Sequence, residues 1–506
     1  MLAKVISGAV AGVDGFLVEV EVDLARGLPM WSVVGLPDAA VKEAKDRVRA
    51  AVRNTGFSFP PDRITVNLAP AGVRKEGSSF DLPIAVGLLA AQGRLSPERL
   101  GGWLLAGELS LDGLIKPVNG ALPLALAARQ SGLYGVIFPP ENGPQGAVVK
   151  GLTVKVAESL PEVVAFFNDN GELKSPEAFL YQPQAAEAIP EMAEVKGQEA
   201  AKRALVVAAA GGHNVLMSGP PGAGKSMLAQ RLPSILPALS FEEALETSKV
   251  YSVLGLLNDG QQLVTSRPFR SPHHTISEPG LIGGGSFPRP GEVSLAHNGA
   301  LFLDELAEFG KPALEALRQP LEDGRVTISR ASSSLTFPSR FTLVAALNPC
   351  PCGFLTHPTK PCRCTPAEIA RYRRRISGPL LDRIDIQVEV GPVEVKDLEE
   401  PPQGATSSQL RPLIAVARAR QAERFTGSPT RLNAHMTPPE IEDHCRLETK
   451  SQKMLSAATD RLSLSARAYT RILKVARTIA DLAGEEAIKT RHLAEAIQYR
   501  LMDKSR

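Results

Sequence analysis

Residues 214–232 read NVLMSGPPGAGKSMLAQRL, and this stretch decides the fold of the segment around it. NVLMS is a short apolar run of the kind that forms a buried parallel strand, and the residues after the glycines have helical spacing. Between them GPPGAGKS, residues 219–226, satisfies the phosphate-loop pattern GxxxxGK[ST] in the strand-to-helix context that gives the pattern its meaning. Gly219, Gly222 and Gly224, with Pro220, Pro221 and Ala223 between them, let backbone N–H groups face a polyphosphate without side-chain obstruction. Lys225 supplies a point charge for the β and γ phosphates, the Ser226 hydroxyl is a ligand for Mg²⁺, and Met227 completes the nucleotide-binding set in the first helical turn. The expected cofactors are ATP and Mg²⁺.

Downstream, ALFLDE at residues 300–305 reads as a buried strand ending in two carboxylates. Emerging beside the loop, Asp304 would hold the magnesium shell and Glu305 would orient and deprotonate the attacking water. The competing reading, an acidic helix start, fits Asp304 alone. A third strand, FTLVAALN at residues 341–348, delivers Asn348 to the same edge, where its amide could hold the water or the γ phosphate. Asn before Pro349 is also a common turn former. Strand, loop, helix, strand and strand in this order predict a parallel sheet with its chemistry at the carboxyl ends.

At 506 residues the chain exceeds one ordinary core, so several domains are expected. Residues 1–168 alternate strands (LVEVEVDL, ITVNLAP, YGVIFPPEN) with helical stretches (DAAVKEAKDRVRAAVRN, LPIAVGLLAAQ), an α/β pattern. Residues 169–192 are polar and Pro-rich, a linker; 193–398 form the nucleotide-binding core; and 399–506, after EEPPQGATSS, read as a helical lid with a capping start at Thr437, Pro438 and Glu440. The 57 Lys plus Arg nearly balance 54 Asp plus Glu, net +3, so no whole-molecule field draws the chain to nucleic acid and any polyanion site must be local. No apolar run reaches the roughly 18 to 20 residues that span a bilayer, and MLAKVISGAVAG lacks the apolar core of a secretory signal, so a cytoplasmic location without membrane contact is expected.

Four of the five cysteines cluster. Cys350, Cys352, Cys362 and Cys364 form two CxC pairs nine residues apart, enough to wrap one tetrahedral structural Zn²⁺ with no open position; free thiols in a reducing compartment are the alternative. RYRRR at residues 371–375 follows a capping start at Thr365, Pro366 and Glu368. Such a cluster attracts phosphate backbones, with Tyr372 available for base stacking, but it equally suits a solvated helix face or a subunit contact. EDGRVTISRASSSLTFPSR, residues 322–340, reads as a hairpin turning near Ser332 to Ser334. His273 and His274 read as packing and hydrogen-bonding residues, because no carboxylate or spaced ligand set accompanies them in the sequence.

GPPGAGKS, PFRSPHHTIS, GEVSLAHNGALFLDELAEF, LNPCPCG and SGPLLDRID together resemble the magnesium-chelatase-like AAA+ proteins of bacteria, the competence protein ComM (YifB) family, over the whole chain. The resemblance implies a hexameric ring motor that uses ATP to translocate on single-stranded or branched DNA, driving unwinding or branch migration in natural transformation and recombination. It also implies that Arg383 in LLDRID is the finger inserted at a neighbour's γ phosphate, and that Arg467 in SARAYTRIL is the lid arginine reporting nucleotide state. Either arginine could instead be an ordinary salt-bridged one. In related helicase rings an equivalent hairpin points into the pore, which would bring Arg330 to DNA, with GLIGGGSFPRPG at residues 280–291 as a second pore loop. The second reading compatible with the same motifs is the motor subunit of a magnesium-chelatase-like complex acting on a protein partner.

The amino-terminal domain resembles the proteolytic domain of Lon, a ribosomal protein S5 domain 2-like α/β fold, with KEGSS placing Ser79 at the nucleophile. GELSLDGLIKPVNGALPLA follows the same family, yet Leu122 stands where it carries its catalytic lysine. A serine with no amine to take its proton is a weak nucleophile, so an inactive protease fold is expected.

Overall fold

The structure, a computed structural model, describes residues 1–182, 190–257, 261–285, 287–330, 333–392, 404–462 and 464–500. Much of the stretch at 399–408 and part of the 169–192 linker lie outside them. The chain folds as two compact units, Met1–Gln182 with Phe241–Val264, and Pro183–Ser240 with Thr265–Arg506.

The first unit is built on a seven-stranded mixed sheet, in the order Met30–Val34, Arg63–Ala69, Asp14–Ala25, Leu2–Ala11, Trp103–Leu105, Gly135–Phe138, Thr153–Val156. Its long central strand alternates as its sequence demands, with Val18, Val20 and Val22 fully buried between Glu19 and Glu21. Helix Ala39–Asn54 is capped by Asp38, whose Oδ1 accepts from the Val41 N–H at 2.8 Å, and buries Val41, Ala44, Val48, Ala51 and Val52 along one stripe. Helix Phe241–Val253 also belongs here although its sequence falls inside the 193–398 span. Its Ser252 hydroxyl donates to Gln145 at 2.7 Å and accepts from the Leu122 N–H at 3.3 Å.

The second unit carries a five-stranded, wholly parallel sheet, ordered Phe269–Arg270, Ala300–Leu303, Thr342–Leu347, Val215–Ser218, Ile386–Glu389. The loop strand is thus interior, as expected. The acid-bearing strand, however, is not its neighbour: Thr342–Leu347 lies between them, pairing Val215 with Val344 on one side and Phe302 with Val344 on the other. Parallel neighbours must be joined by crossovers, so chain order does not give sheet order. Helices Ser407–Arg424, Pro438–His444, Thr449–Leu462, Ala466–Leu482 and Thr490–Gln498 form the lid, with the capping box of Thr437 and Glu440 in place. One apolar core runs from the sheet (Val215, Met217, Val344, Ile386) to the lid (Ile472, Val475, Ile479).

A buried polar network crosses the same boundary. His213 Nδ1 meets Asp385 Oδ2 at 3.0 Å and its Nε2 meets Thr478 Oγ1 at 2.8 Å, while Asp385 also pairs with Arg471. Burial pushes the Asp385 carboxyl upward, but Arg471 and His213 outweigh it and hold the group well below the ordinary carboxylate range. Asp481, 1% exposed, gathers Arg424 at 2.6 Å, Arg477 at 3.1 Å and Asn433 at 2.8 Å.

The hairpin expected at residues 322–340 forms from Arg325–Arg330 and Ser333–Pro338, paired from Arg325↔Pro338 to Arg330↔Ser333. Its tip at 331–332, including the Ser332 named for the turn, lies outside the described residues. Gly283–Gly284 pairs with Arg289–Pro290 beside it. Among the described residues no helix is long and apolar enough to cross a membrane.

Candidate nucleotide-binding site

A cleft of about 380 Å³ opens at the carboxyl ends of the second sheet, lined by loop residues 221–227 with Asp304, Glu305 and Asn348. The loop owes its shape to its glycines: Gly222 and Gly224 sit at φ of 78° and 87°, and a Cβ at either would project into open space. At Gly219 a Cβ would strike the Val390 carbonyl at 2.0 Å.

Lys225 is buried, and its Nζ donates to the carbonyls of Gly219 at 2.7 Å and Pro220 at 2.9 Å and to Asn348 Oδ1 at 3.1 Å. Burial lowers its pKa below the ordinary lysine value, with Asp304 and Glu305 opposing the shift. The Ser226 hydroxyl donates to Asp304 Oδ2 at 2.6 Å, and Asp304 Oδ1 accepts from the Glu305 N–H at 2.9 Å. Glu305 itself takes the left-handed conformation, φ 51°, which turns its carboxylate out of the strand direction. A non-glycine residue held there is strained, a condition that concentrates at functional sites.

The sequence reading missed one neighbour of this carboxylate. His274 Nδ1 stands 3.6 Å from Glu305 Oε2, and the His273 ring lies 4.1 Å from the His274 ring. The expectation that no carboxylate accompanies these histidines is therefore corrected: the partner is distant in sequence, joined only because the Phe269–Arg270 and Ala300–Leu303 strands are neighbours. Tyr372 is a second correction. It is buried rather than presented to a base, and its pKa is pushed up to about 12, first by burial and then by Glu308, with the nearby Asn348 backbone opposing the shift. Of the arginines around it, Arg375 pairs with Glu308 at 2.7 Å, while Arg371 and Arg374 are exposed.

Arg383 and Arg467 do not line this cleft. They meet in a separate cavity of about 270 Å³, together with Arg471, Lys474 and Glu322. Arg383 ion-pairs with Glu322 and donates to the Pro379 carbonyl at 2.8 Å. Arg467 is exposed on the helix Ala466–Leu482. Asn214, at the foot of the loop strand, donates from Nδ2 to the Arg383 carbonyl at 3.0 Å and accepts at Oδ1 from the Leu343 N–H at 2.9 Å.

The sulfur atoms of Cys350, Cys352, Cys362 and Cys364 all lie within 4.8 Å of one another, with every cysteine free of disulfides. Three separations, 3.4, 3.7 and 3.6 Å, fall close to the edge of about 3.8 Å that a tetrahedron with metal–sulfur bonds of about 2.3 Å requires. His357 stands apart from the set, its Nδ1 accepting from the Lys360 N–H at 3.0 Å.

In the first unit Leu122 is fully buried and Ser79 half-buried, with the Ser79 carbonyl accepting from the Gly107 N–H at 3.1 Å. It is the adjacent Ser78 whose hydroxyl donates to Glu108.

A phosphate loop on an interior strand of a five-stranded parallel sheet, an acid pair and an amide on neighbouring strands, and a helical lid define a P-loop nucleotide hydrolase of the AAA+ class. The chain matches family models described as "Magnesium chelatase, subunit ChlI" over residues 191–398, "Subunit ChlI of Mg-chelatase" over 20–142 and "Magnesium chelatase, subunit ChlI C-terminal" over 404–500. It is 46% identical to the Competence protein ComM of Haemophilus influenzae, covering 99% of this chain and 98% of that one, and 43% identical to the Uncharacterized protein YifB of Escherichia coli over the same shares. The chain belongs to this magnesium-chelatase-like AAA+ family, whose members are ATPases. Lon protease 2 of Bacillus subtilis is similar over 24% of this chain, at 31% identity, in keeping with a Lon-like first unit.

Proposed function

We propose that the protein is an ATP-driven ring motor acting on DNA, assembled from about six copies and working in the cytoplasm. The observation that carries the reading is the convergence of Lys225, Ser226, Asp304, Glu305 and Asn348 on one cleft. Lys225 leaves the loop carbonyls for the β and γ phosphates of ATP, and Ser226 and Asp304 turn from each other toward Mg²⁺. Bound there, Mg²⁺ neutralises charge on the phosphate oxygens. Glu305 holds the proton of the attacking water, His274 orients that carboxylate, and Asn348 fixes the γ phosphate. Arg383 acts on the nucleotide of the next subunit, which is consistent with its lying away from its own loop, and Arg467 is the lid arginine that reports nucleotide state. The four cysteines hold a structural Zn²⁺.

The DNA reading draws on local charge. Arg325 and Arg330 on the hairpin and Arg289 on the adjoining segment are exposed, and hairpin and segment flank a cavity of about 580 Å³. The Haemophilus influenzae relative is named a competence protein, which supports placing this motor in natural transformation and the recombination that follows it. The deciding experiment measures phosphate release with and without single-stranded or forked DNA at low salt. Stimulation that fades as salt is raised is expected. ATP turnover indifferent to DNA, with no DNA bound, would remove the DNA part and favour a chelatase-type motor acting on a protein.

A further inference from the structure

The four-cysteine loop is connected to the nucleotide cleft at three places. Cys350 follows Asn348 after a single proline and is fully buried, so its sulfur sits one residue from the amide that accepts from Lys225. At the other end, Cys364 leads into the capped helix Pro366–Arg373, whose buried Tyr372 has its hydroxyl beside the Asn348 backbone. Midway, the Cys350 carbonyl accepts from the Gly353 N–H at 2.9 Å, and this turn presses on the phosphate loop: a Cβ at Gly353, where φ is 80°, would lie 2.5 Å from Pro221 Cδ. Asn348 is thus flanked by the two ends of one loop, and the cysteine cluster brings those ends together.

Resting on the nucleotide reading above, we infer that a soft tetrahedral cation, Zn²⁺, held by Cys350, Cys352, Cys362 and Cys364 acts as the fastener that positions Asn348, so that metal occupancy governs recognition of the γ phosphate. The sulfur positions already suit four thiolates around one ion, and closing a loop of this length fixes its ends against each other. A side chain displaced by about 1 Å at a reacting phosphate costs about a hundredfold. The loss should be selective, since Asn348 meets the terminal phosphate whereas the loop amides hold the others.

The test uses the full-length protein. Metal content is measured, then zinc is removed by a zinc-selective chelator with Mg²⁺ in excess, and binding of a fluorescent non-hydrolysable ATP analogue is compared with that of ADP. One zinc per chain is expected, with analogue affinity falling about tenfold or more on removal, ADP affinity nearly unchanged, and full recovery on adding zinc back. The double variant Cys362→Ser with Cys364→Ser should behave like the stripped protein, and adding Asn348→Ala to it should cost nothing more. Protein that binds no zinc, or that loses zinc with analogue binding intact, overturns the inference. Lys225→Ala separates this from failure of the underlying reading: if that variant still binds both nucleotides fully, the cleft itself has been misassigned.

Discussion

The Arg383 guanidinium is paired with Glu322 of its own chain, while its backbone carbonyl is held by Asn214 at 3.0 Å. On the proposal that this arginine serves a neighbouring subunit, it must first leave that pair, in which its own side chain is only 11% exposed and that of Glu322 57%. Arg383→Ala should lower ATP turnover by about 10³-fold or more with nucleotide binding retained. Mixtures of Arg383→Ala with Lys225→Ala subunits should recover part of the activity, since each supplies what the other lacks. Phosphate-release assays across mixing ratios check this, and no recovery at any ratio would argue against a shared interface site.

Glu305→Gln should keep ATP bound but unhydrolysed, because the amide preserves shape and cannot take a proton. Retention of full turnover would displace Glu305 from its role. His274→Ala should reduce kcat by about tenfold to a hundredfold with KM little changed, as expected of a residue that only orients the carboxylate. An equal rise in KM would instead mean that His274 binds the nucleotide.

In the lid, Asp481→Ala should be among the most destabilising single substitutions. It leaves Arg424, Arg477 and Asn433 without their shared carboxylate, and breaking a buried ionic cluster on one side costs about 3–5 kcal/mol. Thermal unfolding of the full chain measures it, and a change within about 0.5 kcal/mol would show the network to be dispensable.

The phosphate loop, Asp304 and Glu305 were legible because each signal is contiguous: an apolar strand followed by the chemistry at its end. The clustering of the four cysteines was also readable, since spacing limits where short CxC pairs can point. What the sequence withheld is non-local. The Asn348 strand's insertion between loop and acids, the approach of His274 to Glu305, and the meeting of Arg383 with Arg467 all depend on strand order and lid docking, which no local pattern encodes. Tyr372 misled for a related reason: among four arginines it reads as surface, yet one turn of helix aims it inward to Asn348.

Asp81 gives the first unit a pH dependence of its own. Fully buried, it is pushed up to about 6 by desolvation, although Arg47 at 2.6 Å opposes the shift. A folded-state value raised above the unfolded one means a stabilising contribution that is complete below about pH 4 and lost as pH rises through about 6, at most about 3 kcal/mol. Both tryptophans, Trp31 and Trp103, lie in this unit, so their fluorescence during denaturant unfolding reports on it alone. Asp81→Asn should flatten the profile between pH 4 and 7; a slope equal to that of the parent protein would assign the dependence to other groups.

The strand Val215–Ser218 is only four residues long, about 13 Å of stiff, doubly paired backbone. At its head sits the phosphate loop; at its foot Asn214 holds the backbone carbonyl of Arg383, the residue we propose to act on the next copy. On that proposal, filling one cleft would bear on the arginine presented to the adjacent one, and the copies would not fire at random. Work would pass round the assembly as a baton does, each runner's grip setting the reach of the hand that passes it on.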